Sequence, residues 1–311
     1  MTQSSSESEP GLAASLFKLA ADELAGRQDP EFAGRFLAPT PAAFDQFVKL
    51  LGCTLMYRSD IYDEFYQSLV DDYPRNLYLL PRASYKSTAL CCSVVRDIIL
   101  NRDDCILYSS ETLEQAKEYT GWVFRQLEEN KRLIEAVGEF KPKRGAKKWA
   151  EGEFTVLGRT DLSKKEATVT AKGLEQVRAG PHYRRIIVDD PCSPENTKTA
   201  GSLRATVDAF KHIFAIATTT VDEEGEIVGR TRLDVSCTRY NEADMLGYVK
   251  AMNAELLKKR QAGDESAIPW RVIEYPAYDE NGNTPFRHLP RAVLEQMRSE
   301  MGPGYSRPRC C

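Results

Sequence analysis

The chain has 311 residues, enough for one large domain or two ordinary ones, with 42% hydrophobic and 28% charged residues and a formal net charge of −4. That composition supports a sizeable core and a soluble protein; it excludes strong basic character overall while leaving room for a local basic groove. No apolar run approaches the roughly 20 residues needed to span a bilayer, so no membrane partner is expected.

The opening residues, MTQSSSESEP, lack the basic start and apolar middle of a secretory signal, and residues 1–11 read as a disordered tail. Residues 12–25 and 41–56 look helical, the latter opened by Pro41, and together 12–60 form an N-terminal helical region. A third helical stretch runs through Ile61, Phe65 and Leu69. Leu77-Tyr78-Leu79-Leu80 is a short buried strand, followed by a polar loop over 81–87 and a helix over 90–100. Ile106-Leu107-Tyr108 is the next strand, with Ser110 expected to cap the following helix and Glu111 in its first turn. Leu113, Ala116, Tyr119, Val123, Phe124 and Leu127 return on one face of that helix. After a basic loop over 141–148, the segments 154–157 and 167–171 predict short strands, as a hairpin. Ile186-Ile187-Val188 is a further buried strand ending at Asp189-Asp190-Pro191. Helices follow over 197–217, 241–260 and 290–301, with strands at 229–238 and 272–273. Apolar strands separated by helices predict an α/β fold whose mainly parallel central sheet is flanked by helices.

Of the eight cysteines, Cys53, Cys91, Cys92, Cys105, Cys192 and Cys237 stand singly or adjacent, mostly among apolar residues, and Cys310 and Cys311 lie in the final tail, where they could cross-link if exposed. His182, His212 and His288 have no close cysteine partner. This is a pattern of reduced, structural thiols in a cytosol-like compartment rather than of a zinc site.

Two segments carry candidate chemistry. LYLLPRASYKSTAL departs from G-x-x-x-x-G-K-[ST], because Leu80 and Tyr85 occupy the two glycine positions. The physical parts of a phosphate loop are nevertheless in order: a buried strand, a tight polar turn, and a helix opened by Lys86-Ser87-Thr88. Pro81, Arg82, Ala83, Ser84 and Tyr85 would wrap the phosphates of ATP. Lys86 would reach the β- and γ-phosphates, and Ser87 would set its hydroxyl on Mg2+. Taken alone, Lys86 and Ser87 read equally as a surface lysine and a helix cap.

The second segment, Arg185-Ile186-Ile187-Val188-Asp189-Asp190, delivers paired carboxylates at the end of a strand, where ligands gather in open α/β sheets. Asp189 would order a magnesium-bound water opposite Ser87, at the metal site, and Asp190 would orient or deprotonate the attacking water. Alone, this pair reads as a solvated turn or a cap. Together with the lysine loop it predicts ATP hydrolysis. Aspartate is one methylene shorter than glutamate, so slow turnover without a partner is expected. Tyr62 and Phe65 are apolar candidates for an adenine pocket.

Four segments, LLPRASYKST at 79–88, VRAG at 177–180, IIVDDP at 186–191 and VSCTRYNEADMLGYV at 235–249, resemble the large terminase subunit of tailed bacteriophages, over roughly residues 45–300. The resemblance implies a P-loop NTPase fold of the ASCE type, with the ATPase domain over 61–285. It implies ATP-driven translocation of double-stranded viral DNA into a procapsid. The expected partners are the portal protein, the small terminase subunit and further copies of the chain in a ring, in the host cytoplasm at the procapsid portal. It makes Arg82 a phosphate-side arginine, with Ala83 where the family pattern has glycine. Asp189 becomes the metal-site aspartate and Asp190 the catalytic acid, which is glutamate in many relatives. Arg178 matches the family's trans-acting arginine, which would enter a neighbouring subunit's site; from its residue type alone it is an arginine in an exposed loop. Ser236, Cys237, Thr238 and Arg239 resemble the coupling motif, with Thr238 sensing the γ-phosphate.

Lys141, Lys143, Arg144, Lys147 and Lys148 are candidates for contact with the DNA backbone, or a solvated charged face. The family's second, nuclease domain has no expected counterpart, and residues 286–311 read as a connecting helix and a shortened tail, so nuclease activity is not expected. Two other readings fit the same residues: a helicase-like ATPase stimulated by nucleic acid, and an inactive assembly protein that keeps its phosphate loop as a packing element.

Overall fold

A computed structural model of the chain describes residues 30–53, 60–142, 148–221, 227–238, 244–279 and 281–301. Ten strands and eight principal helices occur among them: α1 Pro41–Leu50, α2 Asp60–Val70, β1 Arg75–Leu79, α3 Lys86–Leu100, β2 Ile106–Ser110, α4 Leu113–Glu129, α5 Lys131–Val137, β3 Trp149–Ala150, β4 Glu153–Phe154, β5 Val169–Gly173, β6 Arg185–Asp189, α6 Ala200–Ile216, β7 Thr219–Val221, β8 Ile227–Arg230, β9 Arg232–Ser236, α7 Met245–Gln261, β10 Arg271–Glu274 and α8 Arg291–Met301. The helix expected at 12–25 lies outside the described residues.

Eight strands form one sheet in the order β10-β1-β9-β6-β2-β5-β4-β3. The first six are parallel to one another, and the short β3–β4 hairpin closes one edge in antiparallel fashion. The fold is therefore mixed α/β, with a mostly parallel central sheet flanked by helices. Strand periodicity sends alternate residues to opposite faces. Tyr78, Ile106, Tyr108, Ile187 and Ile273 join a core shared with α1 to α5 and with Leu294 of α8. Leu77, Leu79, Leu107, Ile186, Val188, Leu233 and Val235 join a second core with Phe210 and Ile213 of α6 and Leu246 and Val249 of α7. Both faces being covered explains why the strands read as unbroken apolar runs.

Two local readings change. The helix after β2 is capped by Thr112, not Ser110: the Thr112 hydroxyl accepts from the Gln115 amide, and the Gln115 side chain returns to the Thr112 amide. Ser110 is the last residue of β2. The strand expected at 229–238 is two strands broken at Thr231, whose hydroxyl donates to the Tyr183 carbonyl and accepts from the Thr218 amide. Of the hairpin expected from 154–157 and 167–171, the antiparallel pairing is present but short: Glu153 and Phe154 of β4 lie against Thr170 and Val169 of β5, and 155–157 are not in a strand.

Candidate functional site

β1 ends at Leu79 and the chain turns through 80–85 into α3. Two residues of this turn have left-handed backbone, Ala83 at φ 62° and Tyr85 at φ 59°. This conformation favours glycine and costs a Cβ-bearing residue on the order of 1 kcal/mol or more, so the surroundings must enforce it. Tyr62 donates from its hydroxyl to the Ser84 carbonyl at 2.6 Å, and His288 donates from Nε2 to the Ala83 carbonyl at 2.9 Å. The His288 ring also packs against the Tyr85 ring, with centroids 4.9 Å apart. Tyr62 thus braces the loop, and Tyr62 and Phe65 are both buried in the core rather than open to a bound base.

No side chain caps the N-terminus of α3. Its first-turn amides face the loop as an anion-binding end. Lys86 is only 6% exposed. Its ammonium lies 3.2 Å from Asp190 Oδ2 and 3.5 Å from Thr238 Oγ1. Burial opposes its charge, but the carboxylates of Asp190 and Asp189 outweigh burial and raise its pKa.

β9 lies between β1 and β6, and Asp189 pairs with Ser236 in the β6–β9 register. The strands therefore deliver Lys86, Asp189, Asp190 and Thr238 to one end of the sheet. Asp189 is fully buried. The Tyr108 hydroxyl donates to its Oδ2 at 2.8 Å, whereas Oδ1 has no hydrogen-bond partner. Burial first, and the adjacent Asp190 second, push the Asp189 carboxyl up to about 6, against the opposing influence of Lys86, Ser87 and Tyr108. Asp190 has φ 43° and a side chain 34% exposed. Its Oδ1 accepts from the Thr238 amide at 3.2 Å, and its own amide donates to the Ser236 carbonyl at 2.8 Å.

An orphaned carboxylate oxygen beside a serine hydroxyl fits a hard cation that takes one or two protein oxygens and completes its shell with phosphate and water. Ser87 and Asp189 would hold it. Among the described residues no cluster of three or more His, Cys, Asp or Glu side chains could form a protein-only metal cage. Only the ionised Asp189 carboxylate ligates. If Ser87 and Asp189 hold magnesium beside a nucleotide, that magnesium-dependent binding is expected to weaken as pH falls through about 6, while any magnesium-independent component stays level. Equal affinities in binding titrations on either side of that pH would remove Asp189 from the cation site.

A cleft of about 550 Å³ opens over Lys86 and Asp190, lined by residues 82–88, Glu111, Gln115, Asp190 and 192–195, whereas Asp189 and Thr238 are buried and do not line it. That size is in the range of small-molecule sites. Arg82, Ala83, Ser84, Tyr85, Lys86, Ser87 and Thr88 all line it, and Pro81 is buried behind them. Arg178 does not line it. It is exposed on the loop after β5, where its guanidinium donates to the carbonyls of Glu175 and Val177. Arg239 lies outside the described residues.

Sequence reasoning missed Tyr108, Glu111, Gln115 and Ser193. For Glu111 and Ser193 the only sequence signal is position just after the C-terminal ends of parallel strands, where such a sheet presents its ligands; Tyr108 in mid-strand and Gln115 in the first turn of α4 carry none. The basic run is only partly described. Lys141 pairs with Glu128, and Lys148 pairs with Glu153 at 2.8 Å, which neutralises both described ends of the run.

Compared with known proteins, the chain matches no family model and no curated protein.

Proposed function

We propose that this chain is an ATP-hydrolysing P-loop motor that uses Mg2+ and drives double-stranded DNA into a viral procapsid. The observation that carries the ATPase reading is the convergence of Lys86, Asp189, Asp190 and Thr238 at one end of a parallel sheet, over a cleft rimmed by a left-handed turn. We assign the sheet to the ASCE type because β9 is inserted between the strand feeding the loop and the strand carrying the acidic pair. Two strand spacings of about 4.8 Å separate β1 from β6. That leaves room for a phosphate chain between the lysine and the metal-site carboxylate.

In this reading the amides opening α3 and the Lys86 ammonium bind and orient the β- and γ-phosphates. Lys86 keeps Asp190 with one of its three N–H donors and turns another to the phosphate, and Thr238, tied to Asp190 through its amide, registers that change. A magnesium ion bound at Ser87 and Asp189 supplies charge neutralisation on the phosphate oxygens. Arg82, which lines the cleft, is assigned a phosphate contact in this reading. Arg178, outside its own cleft, is assigned to a neighbouring copy in a ring. The DNA-packaging assignment, with portal protein and small terminase subunit as partners, rests on the resemblance of the four sequence segments.

The test is equilibrium binding of ATP to the full chain with and without magnesium, followed by hydrolysis with and without double-stranded DNA. Magnesium-dependent binding and DNA-stimulated turnover are expected. No binding would sink the ATPase reading. Turnover stimulated equally by single-stranded nucleic acid would favour a helicase-like enzyme over a packaging motor.

A further inference from the structure

β2 and β6 run parallel with Ser109 beside Val188. Continued by two residues, the same register sets Glu111 beside Asp190. The intervening contact agrees, since the Ser110 hydroxyl donates to the Asp189 carbonyl at 2.7 Å. Of the three carboxylates lining the cleft, Glu195 is exposed and pairs with Lys198, and the other two stand on neighbouring strand ends.

Their surroundings differ. Both oxygens of Asp190 are engaged by protein donors, Oδ1 by the Thr238 amide and Oδ2 by the Lys86 ammonium. Its backbone is held in the left-handed region at φ 43°, which limits how far it can adjust. Glu111 is only half-buried, and its Oε1 accepts from the Ser193 hydroxyl. Among the described residues its carboxylate makes no second hydrogen bond. Glu111 also has the extra methylene that Asp190 lacks. One carboxylate is committed to holding the lysine and the Thr238 backbone; the other is fixed at one oxygen and open at the second.

We propose that Glu111, and not Asp190, is the carboxylate that orients the attacking water at this site. The inference rests on the ATPase reading above. The water oxygen forms a bond to the γ-phosphorus as the bond from that phosphorus to the β–γ bridging oxygen breaks. The water proton passes to Glu111 and then to solvent, and ADP and inorganic phosphate leave. Ser193 fixes the Glu111 side chain, and Asp190 is a positioning residue for Lys86 and Thr238. General-base assistance of this kind is worth roughly 10²–10⁴-fold in rate.

The experiment measures ATP binding and turnover by the full chain as wild type, Glu111→Gln, Asp190→Asn and Ser193→Ala. Glu111→Gln is expected to bind magnesium-ATP with unchanged affinity and to lose about 10²-fold or more in kcat. Asp190→Asn is expected to weaken ATP binding as well as turnover, and Ser193→Ala to lower kcat only several-fold. Glu111→Gln turnover within a few-fold of wild type, beside a binding-competent Asp190→Asn that is inactive, would overturn the assignment and leave the ATPase reading standing. Loss of ATP binding in Glu111→Gln would make the residue structural and also overturn it. A wild-type chain that neither binds nor hydrolyses ATP would remove both.

Discussion

Lys86→Ala is expected to lose ATP turnover by about 10²–10³-fold, the usual cost of removing one preorganised donor from a site of developing phosphoryl charge, while the protein stays folded. Lys86 is the one cation among the described residues held beside both carboxylates of the acidic pair, by a 3.2 Å contact to Asp190 and by attraction to Asp189. Removing it takes away a buried charge whose desolvation was itself unfavourable. Asp190 keeps the Thr238 amide and has about a third of its side chain in water, while buried Asp189 keeps the Tyr108 hydroxyl and, with its carboxyl already pushed up to about 6, can take up a proton. The stability change is therefore small and the functional change large. Turnover and a thermal unfolding midpoint on the same preparation separate the two. Full turnover in the variant, or collapse of the midpoint together with turnover, would count against a phosphate-binding role for Lys86.

Asp234→Ala is expected to cost about 3–5 kcal/mol of stability, the range for stripping one partner from a buried charge network. Asp234 is fully buried on β9. It accepts from Arg185 Nε at 2.7 Å, Arg232 Nε at 3.1 Å, Asn76 Nδ2 at 2.8 Å and the Tyr78 hydroxyl at 3.1 Å. Arg185 continues to Asp97 of α3 at 2.7 Å, and Arg232 to the carbonyls of Ser68, Leu69 and Asp71. Without Asp234 two guanidinium groups face each other in a dry interior. Burial works against the Asp234 charge, but Arg232 and Arg185 outweigh it and hold the carboxyl below its ordinary pKa. Because the folded pKa is the lower one, the stabilisation is complete above the unfolded value of about 3.9 and is lost only on further acidification. Denaturant unfolding near neutral pH reads the difference. A midpoint within error of wild type would show that the network contributes nothing net.

The alternation of apolar strands and helices was legible because each element carries its own period. Leu77, Ile106, Ile186 and Val272 head short apolar runs, and all four lie in strands of the parallel sheet. Lys86 and the Asp189-Asp190 pair were legible as candidates because each sits where an apolar run stops. What escaped was non-local or ambiguous between two neighbours. Ser110 and Thr112 both qualify as caps by type; the Gln three residues after Thr112 is the signal that separates them. Tyr62 and Phe65 look the same whether they stack on a base or pack in a core, and their complete burial assigns them to the core. The link from Glu111 to Ser193 spans 82 positions, and that from Arg185 to Asp97 spans 88. No local pattern encodes such pairs, since only the strand order brings them together.

The brace on the turn at Ala83 and Tyr85 has a consequence for how this sequence can drift. Glycine would hold that turn unaided, but alanine and tyrosine depend on Tyr62 and His288, which lie far away along the chain. Among natural variants, substitutions at 83 and 85 should therefore be inherited together with changes at 62 and 288. Lineages that restore glycine to the turn would be free to lose the histidine, and those that keep Tyr85 would not.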